Sequence, residues 1–66
     1  MRNPNRIDEC CDKLANIWNR VPDWRLSQLM VNAISNYINE HGVEPFYMED
    51  EEFIEYLTDY INKVIN

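Results

Sequence analysis

Two internal prolines, Pro22 and Pro45, divide this 66-residue chain into three segments, each with apolar residues at helical spacing. Proline lacks a backbone N–H and pushes the residue before it out of helical geometry, so neither proline lies in a helix interior. Within the segments, apolar residues recur three or four positions apart, which places them on one side of a helix. The pattern predicts an all-α protein, a small three-helix bundle that forms a single helical domain over residues 1–66.

The helix boundaries are predicted from residues that favour helix ends. The three helices are expected over residues 4–21, 23–41 and 49–65. Asn3 before Pro4 is a favourable start for the first helix, and Asp23 is the expected N-cap of the second. Gly42 can adopt the left-handed conformation that ends many helices. Four consecutive acidic residues open the third helix, where the helix dipole favours negative charge.

The segment between the second and third helices, residues 43–49, is expected to be irregular. Val43 is expected to pack back on the last turn of the second helix. Phe46, Tyr47 and Met48 form a short apolar run that is too brief for a strand and has no partner run elsewhere. We therefore expect this run to form a plug that folds over one end of the bundle.

Aromatic residues and one arginine lie in or beside the two connections: Trp24, Arg25, Phe46 and Tyr47. Trp, Tyr and Arg are the side chains that most often dominate protein-binding hot spots. The aromatic residues either close the core or remain exposed as a rim that contacts a partner. Arg25 opposes the dipole at the start of the second helix, so we expect it to pair with Glu49 or Asp50. The alternative is that Arg25 anchors a partner.

The acidic residues are concentrated in the second part of a chain whose net charge is −6. Residues 1–25 carry five cations and four acids, whereas residues 26–66 carry one cation and eight acids. Binding to phosphates needs clustered Lys and Arg, which argues against nucleic acid as a partner. A helix-turn-helix DNA-binding regulator stays a weaker alternative, because residues 25–29 open a helix after a tight turn, but its reading helix would be poor in cations.

Two charged stripes are predicted on the outer faces of the helices. Each has three residues at helical spacing: Glu51, Glu55 and Asp59 on the third helix, and Arg6, Lys13 and Arg20 on the first. Because the first and third helices of a bundle can be neighbours, the stripes are expected to flank one seam, where each exposed pair contributes about 0–1 kcal/mol. The alternatives are that the acidic stripe faces a basic partner, or that complementary charges join two copies of the chain.

The residue types and spacings typical of catalysis or cofactor binding are not found in the sequence. One glycine cannot build a phosphate-binding loop, and one histidine with two adjacent cysteines lacks the spacing of a zinc site. His41 lies in the last turn of the second helix, where a cation favours the dipole. Cys10 and Cys11 point in different directions on a helix, so we expect one buried and one half-exposed thiol. The sequence predicts no enzyme activity, cofactor or metal.

Membrane insertion and export are not expected. The longest strongly apolar run, residues 29–31, is far shorter than the ~20 residues that a membrane-spanning helix needs. The first residues are not followed by the apolar region of a signal peptide. We therefore expect a cytoplasmic protein without a membrane partner.

Two strings carry a family resemblance: PDWRLSQL at residues 22–29 and PFYMEDEE at residues 45–52. Together with Trp18, which precedes the first string, they resemble short uncharacterised bacterial and phage proteins that are distantly similar to the YihD-like family. The resemblance implies an all-helical fold and a cytoplasmic bacterial setting, and it implies no activity. An excess of residues with AT-rich codons is also typical of low-GC bacteria and their phages.

We therefore expect a small acidic helical protein without catalytic activity that acts by protein–protein interaction, for example as a phage-type regulator or inhibitor of a basic nucleic-acid-binding protein. A single core of this size supplies only about 3–5 kcal/mol, so a structural homodimer is the main alternative. The expected partner-binding residues are Trp24, Arg25, Phe46, Tyr47, Glu51, Glu55 and Asp59.

Overall fold

A computed structural model describes residues 2–66, which form three α-helices joined by two short connections. The helices are α1 (Asn5–Trp18), α2 (Leu26–His41) and α3 (Asp50–Ile65). Residues 2–66 contain no strand. The predicted all-α class and three-helix architecture are confirmed; α3 ends at the predicted residue and begins one residue later than predicted.

α1 is shorter than predicted. It starts at Asn5, one residue later than predicted, and its N-cap is Pro4 in place of the expected Asn3. The Asn3 side-chain oxygen still accepts the N–H of Asn5, at 2.9 Å. The last residue of α1 is Trp18, because Arg20 and Val21 donate their N–H groups to carbonyls three residues back, at 3.1 and 2.9 Å. Such bonds close a tight turn in place of a further helical turn. The helix therefore ends three residues before the predicted position.

α2 starts later than predicted, and the assignment of Asp23 as its N-cap was wrong. The Trp24 N–H donates to the Val21 carbonyl at 3.0 Å, which places Asp23 inside the turn. Arg25 is the N-cap, and its N–H is accepted by the Gln28 side chain at 2.8 Å. A side-chain oxygen three residues into the helix thus satisfies the N-cap N–H, as in half of a capping box.

The end of α2 is as predicted. Gly42 has φ +75° and ψ 2°, and its N–H donates to the Ile38 carbonyl at 2.7 Å. This is the left-handed cap that glycine adopts without steric cost. The residue after it differs from expectation, because 61% of Val43 is exposed and it does not bury itself on the last turn.

The core lies where the three helices meet. Its buried members come from all three helices and the first connection: Ile17, Val21, Leu29, Ala33, Leu57 and Ile61. Trp18 also joins α1 to the start of α2, because its indole N–H donates to the Trp24 carbonyl at 2.7 Å. α1 and α3 pack most closely, and the N-terminal ends of both lie together, since Arg6 of α1 bonds Asp50 of α3. These two helices therefore run in the same direction.

None of the helices in residues 2–66 is long and apolar enough to cross a membrane.

Candidate protein-interaction site

The second connection carries the two most exposed aromatic side chains in residues 2–66. Phe46 is 74% exposed and Tyr47 is 91% exposed. Their rings pack edge to face, with centroids 5.0 Å apart and an interplanar angle of 80°. We call them the aromatic pair. The prediction that they form a plug over the bundle end was wrong.

A tight turn explains this exposure. The Met48 N–H donates to the Pro45 carbonyl at 3.2 Å, so Phe46 and Tyr47 are the two central residues of a four-residue turn. Pro45 and Met48 are half-buried at its base, whereas the central residues point away from the core. The same stretch therefore provides both a contact with the bundle and an exposed tip.

A groove of about 470 Å³ lies between Phe46 of the aromatic pair and the helices. All three helices contribute to it: Cys10 and Leu14 from α1, Met30 and Ile34 from α2, and Phe53 and Leu57 from α3. Phe46 forms part of its wall, and Glu44 and Asp50 are the carboxylate side chains along its lining. We call it the apolar groove.

A second depression, of about 480 Å³, shares Phe46 with the apolar groove. It is bounded by Tyr37 at the end of α2, by Tyr47 and by Glu52 in the first turn of α3. Glu44 borders both depressions. Phe46 is therefore a ridge between two concave surfaces, each of which has acidic residues at its edge.

Two carboxylates at the start of α3 pair with the N-terminal part of the chain. Arg2 bonds Glu49 at 3.0 Å and Arg6 bonds Asp50 at 2.9 Å. The prediction that Arg25 pairs with one of these acids was wrong, because Arg2, just before α1, and Arg6, in its first turn, pair with them instead. Within residues 2–66, Arg25 forms no ion pair. Glu44 and Glu52 also lack a cationic partner in this part of the chain.

The two charged stripes lie on either side of the α1–α3 seam. Lys13 and Arg20 line one side of a shallow groove, and Glu51 and Glu55 line the other. No ion pair within 4 Å joins the two stripes in residues 2–66. Asp59 is exposed one turn further along α3. Most of the acidic stripe therefore faces cations of its own chain across a short gap.

The predicted partner-binding residues fall into three places. Trp24 is half-buried and packs against the core, so it closes the core as in the first of the two interpretations. It lies with the exposed Arg25 at the C-terminal end of α1, because Trp18 bonds its carbonyl. Phe46 of the aromatic pair lines the apolar groove with Cys10 and Cys11, about midway along α1, and the acidic stripe lies on the α1–α3 seam. The structure does not bring the three groups together.

A polar cluster that the sequence analysis missed joins α2 to α3. Glu40 accepts hydrogen bonds at one oxygen from Asn36 and Tyr56, both at 3.0 Å, and at the other from Lys63 at 3.3 Å. The Tyr56 bond, and next to it the Lys63 bond, lowers the pKa of the Glu40 carboxyl. Burial is the largest of the effects that raise the pKa of Tyr56. The spacing of Asn36 and Glu40, four residues apart on α2, was the available sequence signal.

The remaining candidate residues lie at the edge of these features. His41 is exposed in the last turn of α2, and its ring packs on Tyr37 with centroids 4.3 Å apart. Both cysteines are free and line the apolar groove; Cys10 is half-buried and Cys11 is exposed. Each thiol is thus more accessible than predicted. No group of three His, Cys, Asp or Glu in the described part of the chain could hold a metal ion.

Comparisons with protein-family models, with curated proteins and with solved structures find no match to this chain. The resemblance to the YihD-like family stays a prediction.

Proposed function

We propose that this chain is a non-enzymatic protein-binding module that contacts its partner through the aromatic pair and the depressions on either side of it. The observation that carries this proposal is the exposure of Phe46 and Tyr47 at the tip of a hydrogen-bonded turn. A buried role would place these rings against the bundle. Their position instead leaves a large apolar area in water, which marks interaction sites in soluble proteins.

The chemistry of the surface supports the same proposal. Aromatic side chains supply a large contact area with few rotatable bonds, so little conformational entropy is lost on binding. Concave apolar surfaces beside such side chains receive the anchor residues of a partner. The aromatic pair and the apolar groove combine both features on one face of the molecule.

We place this interaction in the cytoplasm. Two free thiols, one of them exposed beside the apolar groove, suit a reducing compartment. The partner is then a cytoplasmic protein, as in the predicted phage-type regulator or inhibitor.

Site-specific photocrosslinking in the native host tests the proposal. A photoreactive benzoylphenylalanine is placed at Tyr47, and matched controls carry it at Val31 on α2 and at Asp59 on α3, which are also exposed. We expect a crosslinked protein at Tyr47 and much less product at the two controls. Equal products at all three positions would overturn the proposal. A crosslink only between two copies of the chain would favour the homodimer.

A further inference from the structure

We infer that the occupant of the apolar groove is a cationic amphipathic helix of another protein, with apolar side chains in the groove and Lys or Arg side chains against Glu44 and Glu52. This inference rests on the proposed function, because it names the chemistry of the partner that the same surface binds. The expected contact with a basic partner is thus assigned to Glu44 and Glu52 beside Phe46, and not to the acidic stripe.

The shape of the groove fits a helix. α1 and α2 each line it with residues from about one turn, Cys10 to Leu14 and Met30 to Ile34, whereas α3 lines it over about two turns, from Asp50 to Leu57. One turn of lining spans roughly 6 Å, which is the rise between residues i and i+4 of a bound helix. Two successive anchors on one face of a helix therefore fit, as in other helix-in-groove complexes. The depression beyond Phe46 lies beside the groove, ready for a flanking residue.

The acidic side chains beside the groove favour a cationic helix as its occupant. Of the acids at the groove and the neighbouring depression, Asp50 is neutralised by Arg6, whereas Glu44 and Glu52 have no cationic partner within residues 2–66. Both side chains are exposed, so they are free to turn toward a bound ligand. A Lys or Arg next to an apolar anchor would meet one of them, and opposite charges around an apolar contact fix orientation and speed association.

The same charges argue against the other occupants. In a symmetric dimer the same patch is used on both copies, so the acidic edges that contain Glu44 and Glu52 would be brought close together in a chain of net charge −6. A fatty acid would bring its carboxylate to an acidic edge. A cationic helix is the occupant for which both the apolar lining and the edge charges are favourable.

Fluorescence anisotropy with designed peptides tests this inference on the intact chain. The probe is a labelled Leu/Lys peptide of about eighteen residues, or five helical turns, with leucines on one face. One control peptide has Glu in place of every Lys, and another has the same Leu and Lys residues in an order that forms no apolar face. We expect the amphipathic Leu/Lys peptide to bind at least about tenfold more tightly than either control.

Matched variants locate the contact. The double variant Phe46→Ala/Tyr47→Ala should weaken binding about tenfold, as loss of a hot spot does. Glu44→Gln/Glu52→Gln should weaken it about fivefold. Glu55→Gln/Asp59→Asn removes the same total charge at the acidic stripe and should change binding by less than about twofold. All six substituted side chains are exposed, so the variants should fold, and circular dichroism checks this.

Three results would overturn the inference. The first is equal binding of the Leu/Lys peptide and a control peptide, or no binding of any peptide. The second is an equal loss from the two pairs of acid substitutions, which would indicate unspecific attraction. The third is a dimer in sedimentation analysis that Phe46→Ala/Tyr47→Ala dissociates. The first two results leave the proposed function standing, because a crosslink at Tyr47 depends on no particular partner charge.

Discussion

Tyr56 on α3 donates its phenolic hydrogen to the carboxylate of Glu40 on α2, with 3.0 Å between the two oxygens. Asn36 donates to both of these groups, at 2.6 Å to the phenol oxygen and 3.0 Å to the carboxylate. The cluster fixes the C-terminal part of α2 against α3, next to the end of α2 from which the second connection starts. It therefore supports the frame on which the aromatic pair is presented.

Glu40 should make stability depend on pH in the acidic range. Its pKa in the folded chain lies below the ordinary value of 4.5, chiefly because of the Tyr56 hydrogen bond. The unfolded chain thus takes up this proton at higher pH, so the stabilisation is present above about pH 4.5 and is lost as pH falls through the folded-state pKa.

Urea unfolding over a pH series, with wild type and Glu40→Gln, measures this effect. The free-energy difference between the two proteins should be largest near neutral pH and should shrink on acidification, because glutamine has no proton to take up. A difference that stays constant with pH would contradict the assignment. In Tyr56→Phe, an NMR titration should show the Glu40 pKa shifted upward.

Tyr56 should make stability fall at alkaline pH. Its pKa is raised above the ordinary value of 10.0, mainly by burial, so its contribution is fully present below pH 10 and is lost as pH rises through the folded-state pKa. Tyr56→Phe should cost about 1 kcal/mol at neutral pH, the usual net value of a hydrogen bond, and should lose less stability than wild type above pH 10. Chemical unfolding at neutral and alkaline pH measures both effects. If wild type and Tyr56→Phe lost equal unfolding free energy above pH 10, the predicted alkaline effect would be refuted.

The core should tolerate truncation poorly at Leu29 and well at Leu26. Leu29 is fully buried, and Leu29→Ala should cost about 2–5 kcal/mol, which is comparable to the entire stability of a core this small. Leu26 lies on the same helix, is 42% exposed, and its change to alanine should cost less than about 1 kcal/mol. Thermal unfolding followed by circular dichroism compares the two variants. Similar melting temperatures would mean that α2 does not pack as described.

Gly42 should be sensitive to its backbone conformation alone. A φ of +75° is strained for any residue other than glycine at this position, although an added Cβ would meet no atom within 4 Å. Gly42→Ala should therefore cost about 1 kcal/mol through the left-handed conformation, without a steric clash. Gly42→Asn should cost less, because asparagine tolerates this conformation better. Unfolding free energies of wild type, Gly42→Asn and Gly42→Ala should decrease in this order. Equal stability of all three would contradict the left-handed cap at Gly42.

The sequence predicted the features that depend on local chemistry. Pro22 and Pro45 mark the two connections, Gly42 ends α2, and the acidic run opens α3. The start of α2 was misplaced because Asp23 has a side chain typical of an N-cap but lies inside the turn that the Trp24 N–H closes on the Val21 carbonyl. Arg25 is the N-cap instead, its N–H accepted by the Gln28 side chain, and both contacts depend on the path of the connection.

The candidate site could not be predicted from the sequence, because it depends on tertiary contacts. An apolar run such as residues 46–48 is equally compatible with burial and with exposure, and the turn from Pro45 to Met48 decides which occurs. The pairing of Asp50 with Arg6 joins residues 44 positions apart, and no spacing in the sequence indicates it. The apolar groove, for its part, is formed by residues of all three helices that lie far apart in the sequence.

In the proposed function, the aromatic pair serves contact with a partner and not the stability of the fold. The decisive measurement compares wild type with Phe46→Ala/Tyr47→Ala in two assays, unfolding free energy in urea and recovery of the crosslinked partner, with the photoreactive residue for the second assay at the exposed Val43, which lines the depression beside Tyr47, in both proteins. Because both rings are exposed, the substitutions should change the unfolding free energy by less than about 0.5 kcal/mol while recovery falls about tenfold. Unchanged recovery, or a stability loss large enough to unfold the chain, would contradict the claim.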